Sequence, residues 1–326
     1  YAGRSYVVFG KADGTAVNLS AVAAGIGGFA INGEASFDNS GRSVSSAGDV
    51  NGDGLDDLIV GANLADPNGS NSGKSYVVFG KADGTTINLS AVAAGIGGFA
   101  INGEAAFDNS GFSVSNAGDV NGDGFADLMV GASNADPNGE SSGKSYVLFG
   151  GNFTGSVSQQ GTTGNDTLTG SALADNIVGG LGDDTLIGNG GFDVLYGAAG
   201  DDVLAISDTN FNRIDGGSGF DTLRLDGSNK ALDLTKIANN RISGIERIDI
   251  TGSGNNVLAL KKFDVLALSD ETSQLIVMGN TGDTLVSGGQ GWIASGATFV
   301  DDNLFIEYTA GSASMLVDNR ITQMIS

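Results

Sequence analysis

From Gly161 onward the chain keeps a nine-residue register whose sixth residue is always Asp and whose eighth is always apolar. Asp166, Asp175, Asp184, Asp193 and Asp202 alternate in this way with Leu168, Ile177, Leu186, Leu195 and Leu204. After an irregular interval, Gly216-Gly-Ser-Gly-Phe-Asp221-Thr-Leu223 restores the pattern. In such a repeat about six residues turn and about three form a strand, so two repeats make one coil of about eighteen residues. Alternate repeats then stack on the same side. Asp166, Asp184 and Asp202 line one edge and Asp175 and Asp193 the other; Asp221 extends the first edge if the interruption occupies one repeat. Stacked carboxylates repel at close range and thin strands bury little apolar surface, so the coil is expected to be disordered unless a cation neutralises its edges.

Composition agrees. The 38 acidic residues, 32 of them Asp, outweigh 15 basic ones to give a formal charge of −23, beside 55 Gly. Asp folds its short carboxylate back onto tight turns, so the bias places acids in loops. A hydrophobic content of 40% argues against an acidic disordered segment. The negative surface repels nucleic acid and anionic membranes and attracts divalent cations. There is no Cys and no His, which removes the commonest catalytic bases and nucleophiles, and no zinc or phosphate-binding motif is present. Glu34, Glu104, Glu246, Glu271 and Glu307 share no motif, so no catalysis is expected within these residues. No apolar run is long enough to span a membrane and no signal peptide is visible.

Upstream, a repeat of 70 residues is marked by Ser5-Tyr-Val-Val-Phe-Gly10, Ser75-Tyr-Val-Val-Phe-Gly80 and Ser145-Tyr-Val-Leu-Phe-Gly150. Each unit is expected to hold four short strands: the Tyr-Val-Val-Phe run, Gly28–Asn32, Ser43–Ser45 and Asp57–Gly61. Each also carries an oxygen-rich loop. Asp49, Asn51, Asp53 and Asp57 supply side-chain oxygens, Leu55 its carbonyl, and Gly52 and Gly54 permit sharp bends. The same set recurs as Asp119, Asn121, Asp123, Phe125 and Asp127. Alternate oxygen donors in a Gly-broken loop have calcium-ligand spacing. An EF-hand would need flanking helices and a Glu at its twelfth position, where the chain has Val60 and Val130.

The strand-ending Val-Phe-Gly, the Asp-x-Asn-x-Asp-Gly-x-x-Asp loop and the following Leu-Ile-Val-Gly-Ala62 resemble the FG-GAP repeats of integrin-type β-propellers. That resemblance implies calcium held within a blade by the two loops. Closed propellers use four to eight blades and two complete units stand here, so completion by blades upstream of Tyr1 or by other chains is expected. The nine-residue register resembles the Gly-Gly-x-Gly-x-Asp-x-U-x signature of the RTX parallel β-roll, where U is bulky and apolar. It implies calcium between successive turns, held by Asp166, Asp175, Asp184, Asp193, Asp202 and Asp221 and by carbonyls of the Gly-rich turns.

The expected fold is all-β: FG-GAP β-propeller-type blades over 1–151, a linker over 152–163, an RTX parallel β-roll over 164–226, and a β-rich cap over 227–326. Phrases such as Ile242-Ser-Gly-Ile-Glu-Arg-Ile-Asp-Ile-Thr-Gly252 resemble the C-terminal region of large type I secreted bacterial adhesins, which implies a secretion signal in 312–326. The expected protein binds several calcium ions, is secreted or sits on the bacterial cell surface, and acts as an adhesin or structural protein. A filament or surface-layer subunit and the secretion tail of a larger hydrolase are the alternatives. Expected partners besides calcium are a cell-surface glycan or protein, met by loops such as Asp66–Gly69 and Asp136–Gly139, or further copies joined through unclosed blades. Neither nucleic acid nor a membrane span is expected.

Overall fold

The apolar runs of this chain are short, rich in β-branched and aromatic residues, and bounded by Gly, Asn or Asp, which selects strands over helices. The computed structural model describes residues 2–269 and 273–326. Among the described residues the α-helical pieces are Leu19–Ala23, Leu89–Ala93 and Lys262–Leu268, and nearly all other regular structure is strand. None of these helices is long and apolar enough to cross a membrane. The chain divides into two compact units whose main boundary falls between Gly151 and Asn152.

In the first unit Ser43–Gly48, Asp57–Ala62, Lys74–Val78 and Gly98–Asn102 form one antiparallel sheet, in that order. Arg4–Val8 pairs with Gly28–Asn32, while Ser110–Gly118, Asp127–Ala132 and Lys144–Leu148 form a further antiparallel sheet. The strands lie where the 70-residue repeat places them, but the sheets are out of phase with it. The four-stranded sheet takes two strands from one repeat and two from the next, because residues 33–42 carry the chain across from one sheet to another. Alternation along the strands then sorts the core. Val60, Tyr76 and Val78 pack with Phe29, Ile31, Leu89 and Val92, while Ile59 and Val77 face the other way onto Ala47, Val50, Leu128 and Val130.

The second unit is a stack of parallel ladders. Asn176–Leu181, Val194–Ala199 and Arg213–Ser218 build one sheet; Thr167–Thr169, Thr185–Ile187, Val203–Ile206 and Thr222–Leu225 build another. Leu168, Leu186, Leu204 and Leu223 are successive partners in register, so the irregular interval is one repeat with one residue added. Leu186, Leu204 and Leu223 are fully buried, and each contributes about 1.5–3 kcal/mol by leaving water.

Two expected boundaries are corrected. The linker expected over 152–163 already contains part of the first coil, since Gln159–Gln160 pairs in parallel with Ile177–Val178. No break falls at 226–227 either. Arg247–Asp249, Gln274–Met278 and Ala313–Asp318 extend one roll sheet in parallel. Ala231–Asp233, Val257–Ala259, Thr284–Ser287 and Thr322–Ile325 add a third parallel sheet. One hydrophobic core runs from Ile177 to Ile321. It includes Trp292, whose Nε1–H donates to Ser287 Oγ at 2.8 Å. The column of inward residues continues as Ile248, Val277 and Val317, so the segment expected as a separate cap is the same coil with longer turns. The antiparallel pair Ile293–Val300 and Asn303–Ala310 closes the end of its longest sheet.

Candidate metal centres

Each blade loop is a turn between two strands of one sheet. Gly52 and Gly54 adopt φ of 72° and 86°, and Gly122 and Gly124 φ of 74° and 84°. These are left-handed values that side chains resist, which is why the bends fall on Gly. In the first loop Asp49, Asn51 and Asp57 are buried, with Asp53 and Leu55 half-buried. In the second, Asp127 and Phe125 are buried, Asp123 is half-buried, and Asp119 and Asn121 are exposed. The last Asp of each loop ties its base together. Asp57 Oδ2 accepts the Val50 N–H at 2.9 Å and Oδ1 the Gly80 N–H at 2.7 Å. Asp127 does the same with Val120 at 2.8 Å and Gly150 at 2.9 Å. Among the described residues no three carboxylates converge on one point, so a cation there would depend on Asn and carbonyl oxygens as well. The Asp66 and Asp136 loops are closed on themselves, their Oδ1 atoms accepting the N–H of Asn71 and Ser141.

The roll carries a ladder of side chains along its first edge. The backbone N–H of Asp166 donates to Asp184 Oδ1 at 2.7 Å, that of Asp184 to Asp202 at 2.7 Å, and that of Asp202 to Asp221 at 2.8 Å. On the second edge the Asp175 N–H donates to Asp193 Oδ1 at 3.0 Å. The six aspartates singled out by the register are thereby sorted into the two columns that an eighteen-residue coil requires.

The second oxygen distinguishes the rungs. Asp166 Oδ2 accepts the N–H and hydroxyl of Thr162 at 2.6 and 2.8 Å, and Asp175 Oδ2 those of Ser171 at 2.6 and 2.9 Å. At the equivalent places beside Asp184, Asp202 and Asp221 the chain has Gly180, Ala198 and Gly217, which offer no hydroxyl. The Oδ2 atoms of those three aspartates are buried without any hydrogen-bond partner, in residues that are themselves at most 1% exposed. Electrostatics follow this division. The Thr162 N–H and hydroxyl hold Asp166 below the usual carboxylate range, whereas burial pushes Asp184 and Asp193 up. Burial raises Asp202 to about 7 and Asp221 to about 8, with adjacent carboxylates adding to the effect against one stabilising N–H each. Buried carboxylates with a bare oxygen and no base are costly. A hard divalent cation with oxygen ligands is the group whose chemistry they fit.

Glycine makes room for those oxygens. A Cβ on Gly197 would stand 2.3 Å from Asp202 Oδ2 and 2.3 Å from the Gly216 carbonyl oxygen, and Gly179 is confined likewise by Asp184 and Gly197. Sequence reasoning missed one member of the ladder. Glu246 accepts the Asp221 N–H at 2.9 Å although it has neither the residue type nor the spacing of the repeat. On the third sheet a related column runs through Lys230, Asn256 and Asp283, where the Lys230 N–H reaches Asn256 Oδ1 at 2.8 Å and the Asn256 N–H reaches Asp283 Oδ1 at 2.7 Å.

Two family models match the chain. The FG-GAP repeat matches residues 40–78 and 110–148, and the RTX calcium-binding nonapeptide repeat (4 copies) matches residues 160–186 and 178–205. No curated protein matches it. Both repeat families are structural or calcium-binding rather than catalytic, and each match takes in ligand-type positions described above. The chain is an all-β, calcium-binding repeat protein that joins FG-GAP repeats to RTX nonapeptide repeats.

Proposed function

We propose that this is a secreted protein whose edge-one carboxylates, Asp166, Asp184, Asp202 and Asp221, and whose second-edge pair, Asp175 and Asp193, hold calcium outside the cell. The blade loops Asp49–Asp57 and Asp119–Asp127 are further sites in this reading. The observation that carries it is the column of buried, unpartnered Oδ2 atoms at Asp184, Asp202 and Asp221. Calcium, when bound, supplies the positive charge that this column lacks. The chain's own part is to hold the carboxylates in line through N–H donation from one coil to the next, and to keep the approach clear with Gly at the first repeat position. In a calcium-poor cytoplasm the edges repel and the roll stays open for export. Outside, cation affinity becomes folding free energy, with site affinities on the order of 0.1–1 mM as for other extracellular modules. The folded chain then serves as an adhesin or a structural part of the cell surface, a role supported by its integrin-type repeats and acidic surface.

The test is far-UV circular dichroism of the whole chain with calcium and with excess chelator. Chelation is expected to remove a large part of the β signal, and restoring calcium to return it. A spectrum indifferent to calcium overturns the reading.

A further inference from the structure

Above the nonapeptide block the first edge gains one more carboxylate. Glu246 stands one coil beyond Asp221, placed there by the pairing of Arg247 with Thr222, and its Oε2 accepts the Asp221 N–H at 2.9 Å. It occupies the position that Asp221 holds over Asp202 and Asp202 over Asp184. Nothing in the sequence marks it: the step is 25 residues instead of 18, the residue is Glu, and the nonapeptide match stops at residue 205. Glu246 is 3% exposed and Asp221 is fully buried.

The backbone repeats the lower rungs. A Cβ on Gly216 would stand 1.9 Å from the Gly244 carbonyl oxygen and 2.5 Å from Asp221 Oδ2, as one on Gly197 would meet the Gly216 carbonyl and Asp202 Oδ2, each at 2.3 Å. The same three parts therefore meet here: a bare glycine, a carbonyl of the next coil, and a buried carboxylate oxygen without a partner. Neighbouring arginines are engaged elsewhere, Arg213 with Asp215, Arg224 with Asp226 and Arg247 with Asp301. Two buried carboxylates with no base beside them are neutralised by a proton or by a cation, and their all-oxygen donor set fits a hard cation.

We propose that Glu246, which lies outside the nonapeptide repeats, completes a calcium site with Asp221 and the Gly244 carbonyl at the end of the first edge. It rests on the reading that the first-edge carboxylates hold calcium. It is the last carboxylate rung, because the next coil puts Leu275 at this position, aligned by the pairing of Ile276 with Arg247, and Leu275 has no side-chain oxygen to offer. The site joins the coils that depend on metal to those above them.

Calcium ions bound to the whole chain are counted by native mass spectrometry and by calorimetric titration with calcium, for the wild type and for Asp184→Asn, Glu246→Gln and Glu246→Lys. Glu246→Gln is nearly isosteric and keeps an oxygen for the Asp221 N–H, while Glu246→Lys places an ammonium beside Asp221. Each is expected to bind one ion fewer than the wild type, and if one of them does not fold the other decides. A full count in whichever variant folds, alongside a loss in Asp184→Asn, overturns the Glu246 site and leaves the wider reading intact. A wild type that binds no calcium overturns both.

Discussion

The glycine that opens each nonapeptide and the aspartate at its sixth position share one small volume. At Gly197 the backbone does not require positive φ, so the need for glycine is the close approach of Asp202 Oδ2 and the Gly216 carbonyl, each 2.3 Å from where a Cβ would stand. Both are anchored, Asp202 by the Asp184 N–H and Gly216 by its place in a parallel ladder, so neither yields cheaply. Gly197→Ala is therefore expected to destabilise the calcium-loaded chain by about 1–3 kcal/mol. A melting temperature in calcium within one degree of wild type would sink that account. The Gly–Asp coupling was legible in the sequence because both residues recur at fixed positions. Glu246 was not legible. By sequence it is one of several glutamates without a motif, and only the stacking of a longer coil sets it over Asp221. Glu271, another of these, lies outside the described residues.

At the scale of the element, the sheets of the first unit are stapled by a glutamate that sequence patterning left without a role. Glu34 follows the strand Gly28–Asn32, and its Oε2 meets Lys74 Nζ at 2.8 Å and Tyr76 Oη at 2.5 Å on a strand of the next sheet. Glu104, Lys144 and Tyr146 repeat the arrangement one unit later. Burial raises Glu34, but the Lys74 ammonium and the Tyr76 hydroxyl outweigh it and hold the carboxyl below the usual glutamate range. A carboxyl depressed in the folded state contributes stability above its ordinary value of 4.5 and loses it as pH falls through the folded value. Glu34→Gln is thus expected to cost about 1 kcal/mol at pH 7, discounted for partial solvent exposure. The gap between variant and wild type should narrow on acidification below pH 4.5. Denaturant titrations showing the same gap at pH 3.5 and pH 7 would remove the ion pair as its cause. The pairing is invisible in sequence because its partners are 40 and 42 residues apart, a distance that only the out-of-phase sheets make short.

For the molecule as a whole, the columns of the second unit differ in what completes them. On the first edge, Asp184, Asp202 and Asp221 each keep a buried oxygen without a partner. On the third sheet the equivalent positions are Lys230, Asn256 and Asp283, and the chain itself satisfies the side chains of the last two. The Asn256 amide donates to the Ile250 carbonyl at 3.0 Å, and Asp283 Oδ2 accepts the Asn280 N–H at 2.6 Å. Hydrogen exchange on the whole chain in chelator should accordingly strip protection from residues 167–225 while strands over 257–325 retain theirs; simultaneous loss would show one cooperative block instead. By itself the sequence determined the strand periodicities, the calcium-type loops and the two columns of aspartate. Each of these is a local spacing repeated at constant period, and a constant period fixes which residues stack. Only the tertiary structure decided which sheet each blade strand joins, where the coil begins and ends, and which carboxylates lie bare. Those outcomes depend on neighbours a full coil or more away. Once the coil lengthens beyond residue 226 the period is no longer constant, and the alignment of Glu246 over Asp221 is set by packing of the shared core from Ile177 to Ile321.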